Sequence, residues 1–474
     1  MLKGIANVNG KYRVFSNCTQ NGEGGEEIMS FRGRNIVLLS ASLSLLLSAC
    51  GTSQAHLGSS SGPFKGTITL WAFPGTPTAH HPNGFGWYKA VMAAFEKDHP
   101  GVHVKLTEIP WSEGSVKLET AVAAGDYPDV APGGGTLPQF IKDGVIEPIN
   151  PYLGNYAKEL YPRVVKAATF HGKMYYWPSI QTATLLYLNK NYFAARHVPL
   201  PKNGQWTWKE FVNDAKRLTY TTSGGHKVYG FGVNLQPGNS LSYGILLQDG
   251  GHLLNPNFTQ FTLDSSQGIS GVNKLASLVK TYHVSPPSIA SDPAATVWSN
   301  FLQGKYAMTA YYASFYNKNS PVAKSAKIPF PYAIANYPTG QLGHPITIGD
   351  IAGYTVYKQS NQAQLAMSMK FAKFLSDPVQ WPQAIQKKYM SIGGGAFPVS
   401  SAGAKLQEKY FSNPYYNEVL HNNLKYFMLN PPLTSSWPKL EKVLDAQLQL
   451  MVLGQESIPQ GLKNAKQSLS GVLQ

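Results

Sequence analysis

From residue 66 onward the apolar residues of this chain keep changing their period, and that alternation limits the folds open to it. Thr67-Ile68-Thr69-Leu70-Trp71 reads as a strand, and Trp87, Val91, Met92 and Phe95 then recur near helical spacing until His99-Pro100-Gly101 stops the run. Val102-His103-Val104-Lys105-Leu106 is a second strand, a helix follows over roughly 113–124, and Pro128-Asp129-Val130-Ala131 is a third strand. A β-α-β-α-β order predicts an α/β fold, with a mostly parallel sheet covered by helices on both faces. Ligands of such sheets lie at the carboxyl ends of the strands. Those ends are WAFPG (71–75), PWS (110–112) and PGGGT (132–136). At 474 residues the chain exceeds one comfortable core, so two or more lobes are expected.

Local signals punctuate the rest. In Gln205-Trp206-Thr207-Trp208-Lys209-Glu210-Phe211, Thr207 can cap a helix, Glu210 can complete a capping box, and Trp206 can staple onto Phe211. That reading makes Trp206 and Trp208 structural. Asp377-Pro378 likewise reads as an N-cap followed by the first helical residue.

The start of the chain carries a different pattern. Arg32 and Arg34 precede the apolar run Ile36–Leu47, which is too short for a stable membrane span, and Ser48 and Ala49 follow it. Residues 29–49 therefore read as an export signal. Leu47-Ser48-Ala49-Cys50-Gly51 resembles the bacterial lipobox, which implies lipidation of the Cys50 thiol and attachment to the outer face of the cytoplasmic membrane. Two or three acyl chains hold where one is marginal. Residues 50–63 read as a flexible tether, and residues 1–28, with Cys18, as an over-extended start before Met29. Beyond this segment no run of 18 apolar residues occurs, so contact with the membrane is expected through the lipid anchor only.

The formal charge is +15, from 40 Lys and Arg against 25 Asp and Glu. The cations are spread thinly, with no basic run and no nucleic-acid motif, so no nucleic-acid partner is expected. A carboxylate-poor surface suits an anionic wall or an acidic medium, and predicts little loss of stability on mild acidification.

Four stretches carry a resemblance. They are LETAVAAGDYPDVAPGGGTLPQFIKDGVIEPINPYL (118–153 overall), GKMYYWPSIQTATLLYLNKNYF (172–193), FLQGKYAMTAYYASF (301–315) and IGDIAGYTVYKQSNQAQLAMSMKFAKFLSDP (348–378). Their order over about 400 residues resembles the extracellular solute-binding proteins of ABC importers, in the group typified by maltose-binding protein. The resemblance implies a two-lobed periplasmic-binding-protein-like fold of type II, with the ligand in a cleft between lobes joined by a hinge. It implies lobes of 64–180 plus 349–400 and of 184–346 plus 403–474. It also implies a monomer that closes on its solute and delivers it to permease subunits, whose partner ATPase does the catalysis. No cofactor, metal or catalytic residue follows from it.

A sugar needs aromatic plates for its C–H faces and hydrogen-bonding groups for its rim. Trp71 and Phe73 end the first strand, Trp111 the second, and Gly133 and Gly134 leave room beyond the third. The resemblance adds Gln181 and Thr182 at the first crossover, Asn239 and Tyr243 in QPGNSLSY, Tyr311, Tyr312 and Phe315 after the Ala-Met pair, and Trp437 in NPPLTSSWPKL. Asp350 in IGDIAG falls at the second crossover, as a hydroxyl acceptor or a hinge residue. Beyond residue 49 only Arg163, Arg196 and Arg217 occur, in segments that read as helical or surface. Bidentate capture of phosphate or carboxylate favours arginine, so a small neutral carbohydrate is the expected ligand and glycerol phosphate or another polyol derivative the alternative. A secreted glycosidase would need two carboxylates flanking the scissile bond, and the favoured loops hold chiefly Asp350. His80-His81 is not spaced for a metal, and no HExxH or cysteine cluster occurs.

Overall fold

A computed structural model describes residues 5–8, 11–14, 64–75, 83–110, 114–133, 137–236, 241–312, 328–390, 397–410, 426–429 and 434–473. The chain divides into two compact units, Met1–Ser60 and Ser61–Gln474. In the first, Ile5–Val8 pairs antiparallel with Lys11–Val14.

The alternating pattern after residue 66 becomes β1 (Gly66–Ala72), α1 (Gly86–Asp98), β2 (Val102–Glu108), α2 (Gly114–Ala124) and β3 (Val130–Gly133). β1 pairs parallel with β2 from Gly66↔Val102 to Ala72↔Glu108, and parallel with β3 at Leu70↔Val130. Three further strands complete this sheet: β4 (Trp177–Gln181), β11 (Ile351–Val356) and β12 (Phe397–Pro398), in the order β12-β4-β11-β3-β1-β2. Here the structure departs from the mostly parallel expectation, because β11 runs antiparallel to both β3 and β4, and β12 antiparallel to β4. The cause is connectivity. β4 carries the chain out of this sheet and β11 brings it back, so neighbours that leave and return must oppose each other.

β5 (Thr184–Asn189) opens the second sheet two residues after β4 ends. α3 (Trp208–Arg217), β6 (Tyr220–Thr221), β7 (Lys227–Gly232), β8 (Tyr306–Tyr312) and β9 (Tyr332–Ala335) follow, and the strand order is β6-β7-β8-β5-β9. β10 (Thr347–Gly349) then leads through Asp350 into β11, and pairs parallel with β13 (Phe427–Leu429). Two α/β lobes result, each with its own buried cluster. One gathers Tyr88, Phe95, Trp177, Tyr357 and Phe371 around the first sheet; the other gathers Phe193, Phe211, Phe231, Met308 and Tyr337 around the second. Among the described residues, no helix is long and apolar enough to cross a membrane.

Short-range signals match the sequence reading. Thr207 accepts from the Glu210 backbone N–H at 3.2 Å while Glu210 accepts from the Thr207 N–H at 2.7 Å, a complete capping box. The Trp206 and Phe211 rings meet edge-on at 5.3 Å, and the indole N–H donates to the Asn336 carbonyl. Asp377 caps the turn Pro378–Gln380 through the Val379 N–H. Asp129 in the Pro-Asp-Val segment is a tie within the first lobe. One carboxylate oxygen accepts from both the backbone N–H and the hydroxyl of Thr69 on β1, and the other from Gln364 of α4 (Gln362–Ser376).

Candidate functional site

Register alone brings the two sheets edge to edge. β1, β3 and β4 run in one direction, so their carboxyl ends at Ala72, Gly133 and Gln181 share one edge of the first sheet. β7, β8 and β9 also run together, and Tyr312 at the end of β8 pairs with Thr184 at the start of β5. Only Thr182 and Ala183 separate Gln181 from Thr184, so the carboxyl edges of both sheets abut where the chain crosses. The second crossing lies alongside. Thr182 N–H donates to the Asp350 carbonyl at 2.8 Å, Asp350 N–H donates to the Thr182 hydroxyl at 3.0 Å, and the Thr184 hydroxyl donates to the Ile348 carbonyl at 3.0 Å.

Several expected residues fall on these edges. Trp71 is half-buried, with the Lys117 ammonium 5.4 Å from its ring centroid. Phe73 is half-buried against Gly114, the first residue of α2, where any Cβ would collide with the phenyl ring. Gly133 is different: a Cβ there would stand 3.4 Å from the Thr355 methyl and 3.6 Å from Tyr176 Cβ, ordinary contacts, so packing does not demand a glycine. Tyr311 and Tyr312 are half-buried; Tyr311 stacks on Trp298 at 4.4 Å, and the Tyr312 carbonyl accepts from the Tyr187 hydroxyl.

Asp350 lies at the second crossing and is half-buried. Its Oδ1 accepts the Ile351 N–H at 2.7 Å, the one hydrogen bond to its carboxylate among the described residues. Burial pushes its pKa up to about 6, with the Ile351 bond pulling the other way. Burial raises Tyr312 to about 12, and the charge of Asp350 adds to that. Tyr176 is raised well above its ordinary value by burial, again with a contribution from Asp350. One carboxylate thus acts electrostatically on a tyrosine from each lobe.

Other expected residues are placed elsewhere. Gln181 is fully buried and both ends of its amide are occupied, by Arg163 Nε at 2.8 Å and by the Pro398 carbonyl at 2.6 Å. Tyr243 and Trp437 are 1% and 5% exposed, with rings 6.4 Å apart. They belong to a cluster in which α5 (Trp437–Leu453) lays Leu440, Leu444 and Leu448 against Leu246 and Leu247. The resemblance puts both rings at the ligand; in the structure the apolar stripe of α5 begins at Trp437 and takes that ring into this cluster. Trp111, Gly134, Asn239, Phe315 and the lipobox Cys50 lie outside the described residues.

Sequence reading missed Tyr176, and it put Arg163 in a segment read as helical or surface; the structure sets it half-buried in the helix Pro162–Ala168. It also missed Asp445, which is 2% exposed and accepts from the Tyr243 hydroxyl at 3.2 Å while its Oδ2 is buried without a partner. Burial, then the charge of Glu441, pushes Asp445 up to about 8, against a lowering by the Tyr243 bond. No periodicity announces a buried carboxyl in a helix. Half-exposed aromatic rings around a poorly hydrogen-bonded carboxylate can stack on an apolar face and accept hydroxyl protons, and nothing in the arrangement demands a metal. Among the described residues no group of three metal-ligating side chains occurs.

Comparison with known proteins agrees with the fold. Residues 78–380 match the family described as bacterial extracellular solute-binding protein. An ABC substrate-binding protein of Listeria monocytogenes, solved in complex with cycloalternan, superposes with a TM-score of 0.70 at 22% identity, covering 86% of this chain and 99% of that one. An ABC transporter solute-binding protein of Thermotoga lettingae, bound with α-D-tagatose, gives 0.69 at 21% identity over 86% of this chain and 100% of that one. UgpB of Mycobacterium tuberculosis, in complex with glycerophosphocholine, gives 0.69 at 18% identity over 86% and 99%.

Proposed function

Because the chain belongs to the bacterial extracellular solute-binding proteins, we propose that it captures a neutral sugar or oligosaccharide between its lobes and delivers it to the permease of an ABC importer. The observation that carries this reading is the convergence of Trp71, Phe73, Gly133, Thr182, Tyr311, Tyr312 and Asp350 on the abutting sheet edges. Aromatic faces and a single accepting carboxylate suit a ligand rich in hydroxyls and without charge. Trp111, Gly134, Asn239 and Phe315 extend the same edges in sequence and are proposed as further contacts. Gln181, Tyr243 and Trp437 are assigned to the scaffold around the ligand.

The lobes are proposed as 64–180 plus 349–400 and 184–346 plus 403–474, so that closure bends the chain at Thr182–Ala183 and Asp350. The protein acts as a monomer held outside the cytoplasm by lipid on Cys50. Solved relatives that hold a sugar support the ligand class. Binding of a glycerophosphodiester is the second reading, favoured by the UgpB neighbour and by Arg163, which the structure sets beside the first crossing.

A thermal-shift panel of neutral sugars, polyols and glycerol phosphates tests the choice, since a bound ligand raises the melting point by mass action. A sugar hit is the expected result. Stabilisation by phosphodiesters alone would replace the first reading with the second, and hydrolysis of a sugar hit by pure protein would reopen the enzyme reading. Detergent partitioning of wild type against Cys50→Ser, expressed in a bacterium, checks the anchor.

A further inference from the structure

Three elements of the first lobe meet on Gln181. It ends β4, immediately before the crossing, and it is 0% exposed. Its carbonyl oxygen accepts from Arg163 Nε at 2.8 Å, and its amide nitrogen donates to the Pro398 carbonyl at 2.6 Å. Pro398 belongs to β12, which pairs with β4 through Phe397↔Gln181 and Pro398↔Ile180. Arg163 itself is held from the other side: its guanidinium stacks on the Tyr161 ring at 4.6 Å, and the Tyr161 N–H donates to the Val399 carbonyl at 2.9 Å. The carboxamide therefore joins the helix Pro162–Ala168, the end of β4 and the edge strand β12 into one unit.

We infer that Arg163 and Gln181 are positioning residues of the hinge, which hold the first lobe rigid up to residue 181 and thereby confine bending to Thr182–Ala183 and Asp350. Both amide groups of a buried glutamine are satisfied on the side of the first lobe, so turning residue 181 during closure would break a charge-assisted bond and a backbone bond together. Beyond residue 181 the contacts change: Ala183 is buried in a cluster that holds Phe397 of β12 together with Leu185 and Tyr187 of β5. Thr182 is bonded to Asp350, the other crossing, so the two crossings can turn as a pair. A hinge confined in this way samples fewer open arrangements. Apparent affinity rises with the fraction of the ensemble that is competent to bind. Loosening the clamp should weaken every ligand by one common factor, whereas loss of a ligand contact would weaken ligands unequally.

The proposal rests on the binding reading above, and the test separates the two. Spin labels at Val116→Cys and Leu200→Cys, exposed sites on the first and second lobes, report the inter-lobe distance distribution in a full chain carrying Cys18→Ser and Cys50→Ser. Gln181→Met and Arg163→Gln are each expected to broaden that distribution without ligand, and the double variant to broaden it no further, since one bond is shared. Maltotriose and D-tagatose serve as probes: each variant is expected to weaken both by the same factor, threefold or more. Arg163→Lys, which retains a cation able to donate to Gln181, should recover part of the loss. If neither probe binds the parent, the sugar reading fails and the distance measurement still judges the hinge. Should Gln181→Met fail to fold, Arg163→Gln carries the comparison. Distributions as narrow as the parent's would overturn the inference, as would loss of one probe with the other untouched.

Discussion

Replacing Asp445 by Asn should flatten the dependence of stability on pH. Asp445 is 2% exposed, and its pKa is pushed up to about 8 from 3.8, by burial first and by Glu441 second. Its raised value means that the folded chain keeps this proton where the unfolded chain has lost it. Between about pH 4 and pH 8 the unfolded state thus binds fewer protons, and stability falls as pH rises through that window, by about 1.4 kcal/mol per pH unit. Asp350, raised to about 6 by burial, adds a second contribution of the same sign at the acid end. An unfolding entropy of about 2.1 cal/mol/K per residue, over roughly 400 residues, converts the Asp445 slope into about 1.7 °C per pH unit. Asn preserves the shape and the acceptor for the Tyr243 hydroxyl and cannot ionise. Melting curves by calorimetry at pH 5, 6, 7 and 8 should show wild type losing about 5 °C more than Asp445→Asn across the series. Parallel curves for the two proteins would refute the reasoning. The same sign turns the carboxylate-poor composition into a specific expectation, in which this chain gains stability on mild acidification.

Two further outcomes follow from the site. Trp437→Ala should act on stability, costing about 3–5 kcal/mol in urea unfolding because it empties a buried site, and should leave sugar affinity of the folded protein within about twofold; Tyr312→Ala should do the reverse, losing about tenfold in affinity measured by calorimetric titration. Asp350→Asn should remove a pH dependence of binding: wild-type affinity for a sugar hit should fall as the carboxyl protonates below about pH 6, and the variant's should stay level.

What was legible in the sequence was local. The capping box at Thr207 and Glu210 spans four residues, and the strands after Gly66 follow period alone, so both could be read without the fold. The antiparallel half of the first sheet could not, because β11 returns from the other lobe and its partners are set by a crossing between residues 168 apart in sequence. Aromatic type is ambiguous at Trp437: an indole suited to stacking on a sugar is equally suited to filling a core, and the leucines of α5 packed beside it are visible only in the fold. Arg163 shows the opposite limit. Eighteen residues separate it from Gln181, neither is distinctive alone, and the fold alone makes the pair.

Asp350 joins both kinds of information. Sequence placed it at the second crossing and left open whether it accepts a hydroxyl or serves the hinge. The structure divides those roles between its atoms. Backbone N–H and carbonyl are bonded to Thr182, as a hinge requires, and any residue but proline could supply them. The carboxylate takes one bond from Ile351, and its charge helps to raise Tyr312 and Tyr176. A carboxylate kept short of hydrogen bonds in a desolvated position is unfavourable for folding, and a hinge does not need one there. Burial raises its pKa to about 6, and a ligand hydroxyl donating to the carboxylate would supply a further bond on closure. Asp350→Asn therefore tests the side chain alone, since the backbone bonds that couple the crossings survive the substitution.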